Sequence, residues 1–157
     1  MAKFLNRLSV IELNSVANDG RGNWKLLTDL SFKSDILKAH WITQGKNETE
    51  AELLSVITAK AGFETDFMSI PPKMPEFTRL SRSRRAGAIH DMLYSKDENG
   101  LHAVSSRELA DNILKEMFIA DVTEDGGATT DVKSVVLEIE AELIYQGARI
   151  GGAGHWL

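Results

Sequence analysis

Pro71-Pro72-Lys73-Met74-Pro75 holds all three prolines of the 157-residue chain. Proline fixes φ and supplies no backbone N–H, so this stretch cannot continue a helix or a central strand. It reads as a rigid junction between two halves with different hydrophobic patterns. Upstream, short apolar runs alternate with turn residues. Leu8–Leu13 (LSVIEL) is a strand candidate, and Asn18-Asp19-Gly20 and Gly22-Asn23 carry turn chemistry. Trp24–Phe32 (WKLLTDLSF) alternates in part, and Leu37–Thr43 (LKAHWIT) reads as a further strand. Gln44–Glu50 is polar and loop-like, and Leu53–Ala59 (LLSVITA) is the strongest strand candidate, ended by Gly62.

Downstream of the prolines the period changes to that of helices. Ser83–Tyr94 places Ala86, Ile89, His90 and Leu93 on one helical face. A second helix opens at Ser105, with Glu108 three residues on as in a capping box. Leu109, Ala110, Ile113, Leu114, Met117 and Phe118 give it an apolar stripe. Glu124–Ala128 is a turn, and Thr130 caps a third helix to about Gln146, with Val132, Val135, Val136, Ile139 and Leu143 inward. The expected fold is therefore α+β: a small, mostly antiparallel sheet packed by about three helices. Residues 1–70 are the β-rich part, 71–75 the junction, 83–146 the helical part and 147–157 a Gly-rich tail. Each half alone is too small for a good core, so 1–157 reads as a single domain.

Composition bounds the function. Hydrophobic residues make up 43 % and charged residues 26 %, which is globular composition. A net charge of −5 argues against broad binding of nucleic-acid backbones. The absence of Cys excludes disulfides and thiol catalysis and fits a reducing cytoplasm. Neither a secretory signal nor an apolar run long enough for a membrane span is expected.

Three polar clusters could carry chemistry. Asp66 and Ser69 follow a strand end, where a functional loop and an Asx-type turn are both open readings. His90 joins the apolar face of its helix, Tyr94 lies one turn along, and Asp91 is rotated by about 100°. Such a His is either a metal ligand or base, or a buried imidazole paired with a carboxylate. Arg107 and Asp111, at i and i+4, form either a surface ion pair or, through Asp111 beside the apolar stripe, a partner for His90. Because buried charged groups must be paired, Asp66, His90, Asp91, Arg107 and Asp111 are expected to converge. Arg79, Arg82, Arg84 and Arg85 form a basic stretch without an aromatic for base stacking. With Trp156 and Leu157 of the tail, they are expected to form partner surfaces.

The order Phe63-Glu64-Thr65-Asp66-Phe67-Met68-Ser69-Ile70-Pro71, His90-Asp91-Met92-Leu93-Tyr94 and Arg107-Glu108-Leu109-Ala110-Asp111 resembles the bacteriophage and prophage family called domain of unknown function 1353. Trp24-Lys25-Leu26-Leu27-Thr28-Asp29-Leu30 adds to the resemblance. The family's signature positions fall on Thr65, Asp66, Ser69, Pro71, His90, Asp91, Leu93, Tyr94, Arg107 and Asp111. The resemblance implies a phage origin and brings no established activity. Lys33–Leu54 is longer than the family's usual hairpin, and Lys60-Ala61 stands where Val-Pro is common.

Two functions follow as expectations. One is a structural protein of the tail or baseplate, located in the virion after assembly in the host cytoplasm, with other phage structural proteins as partners. The other is a metal-dependent hydrolase of cell-wall or nucleotide substrates, with Asp66, His90 and Asp111 holding Zn²⁺ or Mn²⁺.

Overall fold

The computed structural model describes residues 1–16, 22–65, 84–126, 131–151 and 156. The proline junction and the Thr130 cap lie outside the described residues. The architecture is α+β, with two three-stranded antiparallel sheets and five helices among the described residues. One sheet has the order β1 (Lys3–Phe4), β4 (Leu30–Lys33), β5 (Val56–Ala59). The other has the order β2 (Val10–Val16), β3 (Gly22–Leu26), β6 (Glu64–Thr65).

The stretch Trp24–Phe32 is thus divided between sheets. Leu26 ends β3 and Leu30 begins β4, both fully inside the core, and Asp29 between them accepts a 2.8 Å bond from the Ala61 N–H. In β4 the alternation is regular: Leu30 and Phe32 are buried, Ser31 and Lys33 half-buried. Cross-strand pairs Leu30↔Ala59 and Phe32↔Ile57 set the register with β5.

The expected strand at Leu37–Thr43 is instead α1 (Asp35–Thr43). Ser34 caps it, its Oγ accepting from the Leu37 N–H at 3.0 Å. The Gln44–Glu50 loop ends in a second cap, with the Asn47 side chain accepting from the Glu50 N–H, and α2 (Glu48–Leu54) follows. Leu53 and Leu54 are therefore helical, and the strand expected over Leu53–Ala59 contracts to β5.

The helical half agrees more closely with expectation. α3 spans Arg84–Tyr94, α4 Arg107–Gly126 and α5 Asp131–Gly151. The α4 cap is Ser106, one residue beyond the expected Ser105, its Oγ accepting from Leu109 N–H at 3.1 Å. α5 continues past Gln146 to Gly151 and so takes up the first part of the expected tail. Its phase also differs. Ala141 and Ile144 are buried, whereas Ile139 and Leu143, expected inward, are 56 % and 42 % exposed. Short Ala141 lets α5 lie close to α4, and this turns Ile139 and Leu143 outward. The side chains of Val132, Val135 and Val136 lie outside the described residues.

The core draws on both halves. Phe4, Leu26, Phe32 and Ile57 pack with Ile89, Leu93, Ile113, Met117, Phe118 and Ile144 in one cluster. A polar tie joins the halves as well. Glu116 of α4 accepts from Ser34 Oγ at 2.5 Å and from the Asp35 and Ile36 N–H groups at 2.8 and 3.1 Å. One carboxylate thereby satisfies donors that the first turn of α1 leaves without intrahelical partners. Burial pushes the Glu116 carboxyl above its usual range, more than these bonds lower it. Glu116→Ala is expected to lower stability by about 1–3 kcal/mol, because the donors lose their acceptor in a partly buried place. Glu116→Gln should cost less, since its amide oxygen still accepts. Urea unfolding of the two variants measures the difference.

Candidate functional site

The site is assembled where α3 crosses α4. Ala86, Gly87, Ala88 and Ile89 are all buried, and three of these four are small enough for a close approach of the helices. Arg85 reaches Asp121, and nine residues along α3 Tyr94 reaches Asp111, so the two helices run in opposite directions. Lys115–Glu142 and Asp111–Arg149 fix α5 in the same way, antiparallel to α4.

Asp111 is wholly buried and is the hub. Its Oδ1 accepts from His90 Nε2 at 2.8 Å and from the Tyr94 hydroxyl at 2.5 Å. Its Oδ2 accepts from Arg149 Nη1 at 3.1 Å. An ionised carboxylate only accepts, so His90 carries its proton on Nε2. Burial holds the His90 imidazole below its ordinary range, outweighing the pull of Asp111. Burial pushes the Asp111 carboxyl up, but the bonds from His90, Tyr94 and Arg149 together hold it below the usual carboxylate value. The same burial, with Asp111 adding to it, raises the Tyr94 phenol. The arrangement is an ionised Asp balanced by Arg149, with a neutral His and a neutral Tyr as donors.

Asp121 repeats the pattern at the other end of the crossing. It is buried and accepts from Arg85 Nε at 2.9 Å and from Arg85 Nη2. Arg85 also lies 4.3 Å over the Phe4 ring, which extends the pairing to β1.

The expected convergence is met for His90 and Asp111. Asp91 instead faces β6, where it accepts from Thr65 Oγ1. Of the two readings at i and i+4, Asp111 is the partner of His90, and Arg107 does not form the ion pair with Asp111, whose oxygens are taken by His90, Tyr94 and Arg149. Its Nη1 is buried without a hydrogen-bond partner among the described residues, and its charge acts on Tyr94. Asp66 and Ser69 lie outside the described residues, so the expected ligand set Asp66, His90, Asp111 is represented by two members that bond each other. Among the described residues no group of three His, Asp or Glu side chains is placed to hold a metal ion.

Two residues of the expected basic surface are used internally. Arg85 is the Asp121 partner, and Arg84 lies 5.5 Å over the Trp24 ring. Arg79, Arg82 and Leu157 lie outside the described residues. Trp156 packs on its own chain: its ring stacks on His102 at 3.8 Å and 10° and meets Tyr94 edge-on at 5.3 Å.

Reading the sequence missed Arg149, Asp121 and Glu116. Asp121 was signalled by its place beside Leu114, Met117 and Phe118, because a carboxylate there needs a cation. Arg149 carries no local signal, being 38 positions from Asp111.

These features define an α+β domain whose helical layer is organised around buried, paired carboxylates. The family described as Protein of unknown function (DUF1353) matches residues 24–135, and the chain belongs to it. No curated protein and no solved structure matches the chain. Among the described residues no helix is long and apolar enough to cross a membrane.

The network sets a pH dependence. A depressed imidazole means that the unfolded chain takes up a proton first, so the His90 contribution to stability falls as pH drops below about 6.5. The lowered Asp111 carboxyl adds a loss at lower pH, as pH falls through its folded value. His90→Ala is expected to lower stability at pH 7 by about 1–3 kcal/mol through the unmatched Asp111 acceptor. It should also flatten the decline of the urea midpoint below pH 6.5, relative to the unaltered protein.

Proposed function

We propose that the chain is a structural component of a bacteriophage particle, at the tail or baseplate, acting by contact with other particle proteins. The observation that carries the structural reading is the internal pairing of Asp111. Both oxygens of this buried carboxylate are committed to three donors from α3 and α5. A general base needs a nitrogen or oxygen within reach of its substrate, and a metal ligand needs a lone pair aimed at the ion. His90 and Asp111 are instead both buried and bonded to each other. Their geometry suits a lock that holds three helices in one arrangement and so keeps the outer surface fixed. A rigid surface of defined shape is what a protein acting by contact requires. The particle assignment rests on the motif resemblance set out from the sequence.

Purified particles from a host carrying the gene are expected to contain the chain at a fixed copy number, measured by quantitative mass spectrometry. Protein purified without chelator should show no stoichiometric metal. Absence from particles, together with stoichiometric Zn²⁺ or Mn²⁺ that His90→Ala removes from a still folded chain, would overturn this reading in favour of a metal-dependent hydrolase.

A further inference from the structure

α5 carries two apolar faces. On the inner one Ala141 and Ile144 are buried and Ala148 packs against the core. On the outer one Ile139, Leu143, Gln146 and Ile150 are exposed, with Ile150 at 82 %. At about 100° per residue the two sets lie roughly 160° apart around the helix. The outer set is spaced by four, three and four residues, and Val132 and Val136 continue that spacing back to the first turn of the helix. A single exposed leucine or isoleucine is ordinary surface. Apolar residues alternating by four and three along the whole of a 21-residue helix form the a and d seam of a coiled coil. The inner face already holds the helix on α4, so use of the seam requires no further ordering of its backbone.

We propose that the outer face of α5 is a dimer interface, on which α5 of a second copy of the chain packs in parallel and in register. The occupant is argued from the seam. About a two-fold axis along the helix pair, each seam residue meets its own counterpart, isoleucine at 139 and 150 and leucine at 143. Gln146 is the polar residue of the seam. Its amide nitrogen donates to Glu142 at 2.8 Å, which leaves one N–H and the carbonyl for Gln146 of the partner subunit. A shifted register would set that amide against hydrocarbon and lose the hydrogen bond. Charge selects the direction. The positions flanking the seam are Val135, Glu142 and Arg149 on one edge and Lys133, Glu140 and Gly147 on the other. In the parallel pair, position 135 lies opposite 140 and position 142 opposite 147, so no like charges are opposed. Full antiparallel overlap sets Glu140 against its counterpart and Glu142 against its own, and both contacts are repulsive. Glu142 and Arg149 are also held to α4, through Lys115 and Asp111. The pairing is a property of the purified chain and does not rest on its assignment to a particle.

The full chain has no cysteine, so single cysteines report the geometry. Gln146→Cys is expected to give a disulfide-linked dimer under mild oxidation, because parallel pairing sets the two 146 positions face to face. Full antiparallel overlap would set them ten residues apart, about 15 Å along the helix, beyond the reach of that bond. Glu138→Cys, exposed and away from the seam, should cross-link at least about tenfold more slowly. In sedimentation equilibrium the unaltered chain is expected to be a dimer. Leu143→Glu, which opposes two carboxylates in the seam, should weaken it at least about tenfold while circular dichroism stays that of the folded chain. An unaltered chain that stays monomeric up to about 0.5 mM overturns the proposal. So does a dimer that Leu143→Glu leaves unchanged, because its contact lies elsewhere. Equal cross-linking at positions 138 and 146, or a dimer without the 146 cross-link, overturns the parallel register. Should Leu143→Glu fail to fold, Ile150→Glu takes its place with the same outcomes.

Discussion

The arrangement of the helical layer follows from placing charged carboxylates inside it. Asp111 and Asp121 both lie on α4 with essentially no exposure. Removing such an ion from water costs several kcal/mol unless a cation and further donors replace its hydration. Neither cation that pairs with them comes from α4 itself. Arg85 and Arg149 come from α3 and α5, so neither carboxylate can be buried until those helices are in place. The apolar stripe of α4 would tolerate several helix placements, whereas a three-donor shell around one carboxylate tolerates few. That difference between hydrophobic and hydrogen-bonded contact is why the polar groups, though few, select the packing.

Glu116 extends this logic around α4. Residues 111, 116 and 121 are five apart, and each step of five turns about 140° around a helix. The three carboxylates therefore face three directions. Asp111 faces α3 and α5, Glu116 faces the start of α1, and Asp121 faces Arg85, which rests on Phe4 of β1. One helix thereby ties its neighbours in the helical layer to the sheet of β1, β4 and β5 and to α1. Hydrophobic burial supplies the drive to collapse, and these ties set how the collapsed elements are registered against one another.

What could be read from the sequence divides along the same line. The helices after Ser83 were legible because their apolar residues recur every three or four positions, and α3 and the start of α4 appear within two residues of expectation, while α4 runs on to Gly126 through the first part of the expected Glu124–Ala128 turn. α1 was misread as a strand because Leu37-Lys38-Ala39-His40-Trp41-Ile42-Thr43 is short and its composition suits either element. Its start is fixed by Ser34 and by Glu116, the latter 81 positions from Asp35. No local pattern reports a partner at that distance. The division of Trp24–Phe32 between two sheets has the same origin, since the Asp29 bond to Ala61 that accompanies the turn spans 32 positions. His90 and Asp111 were legible as a pair because each interrupts an apolar stripe with a titratable group. Arg149 was not, because its position on α5 follows the true phase of that helix, and Ile139 and Leu143 suggested another.

Tyr94 joins the internal network to the outer surface. Its hydroxyl donates to Asp111, while its ring meets Trp156 and lies 4.3 Å from the His90 ring. The position of the phenol is set from inside by the carboxylate, and that position in turn fixes one wall against which the indole rests. Buried ion pairs contribute little net stability compared with apolar residues of equal volume, and they are best attested where they specify one arrangement over others. Specification is the property that a seat for Trp156 needs. A loosely packed α3 would let Tyr94 adopt several positions, and the stacked geometry at His102 would then lose its neighbour. The buried charge on α4 thus has a consequence at the surface: it keeps an aromatic seat in one shape for the chain's own Trp156.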